Sequence, residues 1–152
     1  MRTVVQRVQR AEVRVDGQPV GRCARGLLLL VGVAQGDTEA DAEATARKVA
    51  ALRCFPGRTP MDLTLAQAGG GCLVVSQFTL LASLAGGNRP GFSGAEAPAR
   101  AEALVLRVVE ALRAAGLPVE TGRFGADMQV DLVNDGPVTF VLDVREGRLQ
   151  GG

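Results

Sequence analysis

The 152-residue chain carries 17 basic residues against 16 acidic ones, a net charge of +1, with 47% apolar and 22% charged residues and no His. That length fits one domain, and the balance excludes both a disordered chain and a protein that grips a long run of nucleic-acid backbone, which needs a marked basic excess. The missing His excludes Ser-His-Asp and Cys-His nucleophile pairs, and the three dispersed cysteines, Cys23, Cys54 and Cys72, form no metal-binding spacing and no even disulfide set.

Residues Thr3 to Val15 open the pattern, mixing Val with Arg and Gln. From Ala11 to Val15 the alternation is strict, and Asp16-Gly17 signals a hairpin turn. Gly26 to Ala34 is a short apolar run bounded by Gly, the pattern of a strand buried on both faces. Thr38, with Asp41 three residues on, predicts a helix start; Ala42, Ala46, Val49, Ala50 and Leu52 follow near helical spacing, and Pro56-Gly57 ends the element. Cys72 to Leu81 reads as a buried strand, followed by a loop from Ala82 to Gly94. Pro98 suits a first helical turn. Leu104, Val105, Val108, Val109 and Leu112 then make an apolar stripe that Gly116 and Pro118 terminate. Three short strands are expected over 119–124, 128–133 and 138–144, and the polar, Gly-rich tail over 146–152 is expected to be flexible.

Strand clusters interrupted by two helices predict a single α+β domain of mainly antiparallel strands packed with two main helices. With five Phe and neither Tyr nor Trp, its core rests on Val, Leu and Ala. No secretory leader is read at Met1, and the longest apolar run is far short of a membrane span, so a cytoplasmic chain with no membrane partner is expected. Neither a metal nor another cofactor is expected.

Two segments differ from ordinary core. Ser76-Gln77-Phe78-Thr79-Leu80 places polar residues at the end of a Val-rich strand, where it opens into a Gly-bordered loop. By composition it is either a site or a set of strand-capping hydroxyls. Asn134-Asp135-Gly136-Pro137-Val138-Thr139 fits a β-turn between two strands; a functional reading requires the peptide before Pro137 to be cis, a minority state of X-Pro bonds. Arg7 among valines suits a solvated strand edge, Met128 suits a core, and Gly69-Gly70-Gly71 lacks the spacing and Lys of a phosphate loop.

In order and spacing these segments resemble the D-aminoacyl-tRNA deacylases. The likeness runs from Gln6-Arg7-Val8 through Gly26-Leu27-Leu28, Gln67-Ala68-Gly69-Gly70, Ser76-Gln77-Phe78-Thr79-Leu80, Arg89-Pro90, Phe92-Ser93 and Thr121-Gly122-Arg123-Phe124. It continues over Ala126-Asp127-Met128-Gln129-Val130 and Asn134 to Thr139, ending near Leu142. The resemblance implies a deacylase-like domain over 1–145 that forms a homodimer with its site at the subunit interface. The implied substrate is a D-amino acid, or glycine, esterified to the acceptor end of tRNA, with no role for DNA. The implied catalytic segment is Ser76, Gln77, Phe78 and Thr79, with Phe78 near the terminal adenine. Substrate binding falls to Arg7, Met128, Asn134, Gly136 and Pro137: a cis Gly136-Pro137 peptide reaches into the partner's pocket, its carbonyls exclude an L-residue, and Arg7 holds it.

Two mechanisms remain open at this level. Thr79 is the nucleophile, or the ribose 2′-hydroxyl of the tRNA assists water; no His and no nearby acidic residue or Lys in sequence stands ready to activate Thr79. Rival readings are an RNA-end binding module without turnover, a thioesterase using Cys72, and an editing module for L-seryl-tRNA.

Overall fold

The computed structural model describes residues 1–151. One curled sheet carries both helices on a single face. The strands are β1 (Arg2–Val15), β2 (Gln18–Cys23), β3 (Gly26–Gly32), β4 (Gly71–Ser76), β5 (Val119–Thr121), β6 (Gln129–Arg145) and β7 (Arg148–Leu149). The helices are α1 (Glu39–Ala51) and α2 (Pro98–Ala114), and a 3₁₀ turn covers Phe78–Leu81. The sheet order is β5-β4-β3-β1-β6-β7, with β2 also paired to β1. Four of the pairings are antiparallel; β3–β4 and β4–β5 are parallel.

The parallel centre explains the apolar runs. Leu27, Leu29, Val31, Cys72 and Val74 face the helices, where they meet Ala46 and Val49 of α1 and Leu104, Val108 and Leu112 of α2. Leu28, Leu73 and Val75 face away, into a second cluster with Val8, Ala11 and Val13. A strand buried on both faces must be apolar at every position, as parallel strands usually are. Glycine closes the seam: a Cβ on Gly26 would collide with the Gly71 carbonyl of the neighbouring strand.

β1 bridges the two clusters by changing phase. Val5 lies in the helix-side core, Ala11 and Val13 in the other, and the pairing with β6 shifts between Val8 and Arg10. A one-residue slip turns a strand's side chains to the opposite face, and here it serves both cores.

Helix α1 begins at Thr38, whose N–H donates to the Asp41 carboxylate at 2.9 Å. The other oxygen of Asp41 accepts from Gly147 N at 2.8 Å, which ties the β6–β7 turn to the helix. Burial pushes the Asp41 carboxyl up, but the Gly147 and Thr38 amides outweigh it and hold it below the usual carboxylate range.

Three expectations change in form. The strand expected over Cys72 to Leu81 stops at Ser76, and the chain winds into the 3₁₀ turn. The two strands expected over 128–133 and 138–144 are one continuous β6. The segment read as a loose tail contains β7.

Candidate active site

β4 delivers the first site segment. Its register with β3 ends at Val31 opposite Ser76, and Gln77 N still donates to Val31 O at 2.8 Å. The 3₁₀ turn then lies across the end of β3, over Gly32. A Cβ there would fall 2.9 Å from the Gln77 carbonyl oxygen and 3.0 Å from Leu80 Cβ. As the first residues of the turn, Phe78 and Thr79 have N–H groups with no partner inside it. The Gln77 carboxamide donates to Thr79 Oγ1. A carboxamide is no base in either orientation, so this contact fixes the hydroxyl without activating it.

Beside this turn lies an apolar cavity of about 240 Å³, lined by Ser76, Gln77, Phe78, Phe124 and Gly125 together with the start of α2. Phe78 is 57% exposed, and its ring meets Phe92 edge-on with centroids 5.2 Å apart. Three of the five Phe residues thus gather where the surface is open. An aromatic left in water at a cavity mouth is available to stack on a planar ligand.

Glu96 also lines this cavity. Its carboxylate accepts from Ala97 N at 2.9 Å and Gly36 N at 3.2 Å and pairs with Arg100. Those amides, led by Ala97, hold Glu96 below the usual carboxylate range, which suits a clamp on the loop and not a proton acceptor.

The second segment is built around Arg7, which is buried and not a solvated edge residue. Arg7 donates through Nη1 to Cys54 O at 2.6 Å, and its Nε lies 2.9 Å from Asp135 Oδ2. Asn134 completes the clamp, donating through Nδ2 to Arg7 O at 2.8 Å and Val138 O at 3.1 Å. In the β1–β6 ladder Gln6 pairs with Thr139 and Val8 with Asn134, so four residues of β6 stand opposite Arg7 alone. This wide bulge exposes Gly136 and Pro137, and the peptide joining them is cis. The expected turn between two strands is therefore a bulge inside one.

The two segments do not meet within one chain: neither Gly136 nor Pro137 lines the cavity at Ser76–Phe78. Met128 packs against the second core cluster, where a Cβ on Gly122 would sit 2.8 Å from its sulfur. Asp135, Phe92 and Phe124 take part although sequence reasoning gave them no role. The two aromatics carried a signal in being scarce.

Cys72 offers no nucleophile. Burial pushes its thiol up to about 12, and Cys23 adds to the effect, so the thiolate is negligible at neutral pH. Among the described residues no group of three or more His, Cys, Asp or Glu is placed to hold a metal ion. Among the described residues no helix is long and apolar enough to cross a membrane.

The family model described as D-Tyr-tRNA(Tyr) deacylase matches residues 4–143. The chain belongs to this family. A D-aminoacyl-tRNA deacylase of Paracoccus denitrificans is 59% identical over 144 residues, covering 94% of this chain and 97% of its own. One from Anaeromyxobacter dehalogenans is also 59% identical, over 146 residues, with coverage of 95% and 98%. Among solved structures, the c-Myc DNA Unwinding Element Binding Protein superposes with a TM-score of 0.88 at 37% identity, over 95% of this chain and 99% of that one. A probable eukaryotic D-amino acid tRNA deacylase superposes at 0.77 with 18% identity, over 94% and 98%, a likeness of fold. Both site segments fall inside the matched residues.

Proposed function

We propose that this protein is a D-aminoacyl-tRNA deacylase: water cleaves the ester between a D-amino acid and the terminal ribose of tRNA, releasing free D-amino acid and tRNA. Glycyl-tRNA is a second substrate, since glycine has no side chain for the site to exclude. Membership of the family over residues 4–143 supports the reaction class. The geometric observation that carries it is the apolar cavity that ends at the 3₁₀ turn. The terminal adenosine occupies the cavity beside Phe78, and the ester lies over the Phe78 and Thr79 amides, which stabilise the oxyanion.

Chemistry by positioning follows from what surrounds Thr79. Its hydroxyl has an amide for a partner and no base. The ribose 2′-hydroxyl of the substrate assists the attacking water, and the protein contributes orientation, which can supply roughly 7–11 kcal/mol. Thr79→Ala should therefore stay within about tenfold of the wild-type rate in single-turnover assays. A folded variant slowed by about 10⁴-fold would make Thr79 the nucleophile.

Handedness is read by backbone. The enzyme accepts many side chains and one configuration, so contacts to side chains would select the wrong property. In this reading the protein is a cytoplasmic homodimer. The bulge held by Arg7, Asp135 and Asn134 presents the Gly136 and Pro137 carbonyls to the Ser76–Thr79 segment of the partner, where they exclude an L-residue. Support comes from the exposure of both elements on one chain and from their failure to meet within it.

The deciding experiment is hydrolysis of matched D- and L-aminoacyl-tRNA by purified protein. The D-substrate should react at least about 100-fold faster, a difference of two decades in transition-state binding. Equal rates would refute chiral selection, and tight binding without turnover would make this an RNA-end binding module.

A further inference from the structure

Arg123 has no part in the chemistry above, yet it stands at the site. The turn that carries it is fixed at both ends: Gly122 N donates to Val74 O at 3.1 Å, and Ala126 N to Arg123 O at 3.2 Å. Phe124 lines the cavity assigned to the adenosine, and Arg123 lines a second cavity of about 220 Å³. The two share Ser76, Val105 and Phe124, so they lie on adjoining sides of one aromatic ring.

Among the described residues, Arg123 is the one cation in the lining of either cavity. It is exposed, and among the described residues its side chain has no ion pair and no hydrogen-bond partner. Arg100, on the first turn of α2, is by contrast committed to Glu96 and to Asp37 O at 2.7 Å. Glu102 lines the second cavity without pairing with Arg123. A planar guanidinium left uncommitted beside an apolar slot has the donor geometry to pair two N–H groups with the two free oxygens of a phosphodiester. The net charge of +1 gives the molecule no broad field for RNA, so discrete contacts must set the register of the bound end.

We propose that Arg123 binds the phosphodiester on the 5′ side of the terminal adenosine and so anchors the end of the tRNA at the site. The proposal rests on the deacylase reading, since that reading puts the adenosine in the neighbouring cavity. A nucleic-acid end has its first phosphate one ribose away from the base, and the second cavity is the adjoining space.

The test compares Arg123→Gln with wild type on D-aminoacyl-tRNA and on 3′-O-D-aminoacyl-adenosine, which has no phosphate. On tRNA, KM should rise about tenfold with kcat nearly unchanged, the loss of one charge-assisted contact. On the aminoacyl-adenosine nothing should change, and the slope of log KM against log salt on tRNA should fall by about 0.7, one single-strand phosphate. Arg123→Lys should restore part of the KM. Binding of the unacylated trinucleotide CCA and of adenosine gives a second readout that needs no turnover: only CCA should weaken. Equal losses on both esters, or an unchanged KM on tRNA, would overturn the phosphate contact while leaving the deacylase reading intact. A wild-type protein that hydrolyses neither ester, but loses CCA binding through Arg123→Gln, would overturn the deacylase reading and support the contact.

Discussion

Replacing Arg7 with alanine should lower stability by about 2–4 kcal/mol and slow D-aminoacyl-tRNA hydrolysis roughly 100-fold. The guanidinium is only 10% exposed; it donates to Cys54 O after α1 and forms an ion pair with the Asp135 carboxylate in the bulge. Alanine leaves the carbonyl without its donor and the carboxylate without its cation. Removing one member of a buried pair costs more than the pair contributes, because the other charge stays desolvated. At 30% exposure Asp135 recovers some solvation, which puts the estimate below the largest such losses. The melting temperature should drop by roughly 5–15 °C for a chain of this length. Activity should fall further than stability explains, because the bulge loses its anchor and displacement of a positioning element by about 1 Å can cost 10²-fold. Arg7→Lys keeps a charge but cannot reach both the Cys54 carbonyl and the Asp135 carboxylate with a rigid fork, so it should fall between the two. An Arg7→Ala protein with unchanged melting and full turnover would remove the clamp from the account.

The second large effect follows from the proposal that two chains share the site. One variant, Gln77→Ala with Phe78→Ala, damages the cavity half. Another, Gly136→Val, adds bulk to the bulge half, where even a Cβ would sit 3.0 Å from Asn134 Oδ1. Each alone should lose roughly 100-fold in rate. Unfolded together and refolded, they should recover about a quarter of wild-type activity, because random pairing makes half the dimers mixed and each mixed dimer holds one undamaged site. A site contained within one chain predicts no recovery. Turnover per protomer against mixing ratio distinguishes the two, and an active monomer in light scattering at assay concentration would refute the shared site directly.

Much of this architecture can be read from residue pattern. Thr38 with Asp41, and Pro98 with the Leu104–Leu112 stripe, mark the helices because capping and amphipathic spacing are local physics. The Gly26–Ala34 run declares burial on two faces, but not that its partner β4 runs parallel; that depends on where α1 and the following loop return the chain. The Asn134–Thr139 segment shows the limit most clearly. Its residues suit a tight turn, and the preference is outweighed by contacts with a residue far away in the chain, Asn134 with Arg7 O and Asp135 with the Arg7 guanidinium. Arg7 itself carries no local sign of burial; its partners, Cys54 and Asp135, lie far away in the chain. Gln77 and Thr79 were legible as polar residues at a strand end. Their mutual hydrogen bond, which bears on mechanism, depends on the 3₁₀ turn.

The bulge also governs how this stretch of chain can vary in length. Gly, Pro, Asn and Asp at a solvent-facing tip look like a place where evolution adds and removes residues freely. Here both flanks are locked to β1, at Asn134 against Val8 and at Thr139 against Gln6. Within β6, Val138 and Val144 are buried while Val141 is 65% exposed. Deleting or inserting a single residue between 134 and 139 would transmit a half-period shift along the strand and trade buried positions for exposed ones. Homologues should therefore tolerate changes of residue here far better than changes of number, as they would in the middle of a core strand.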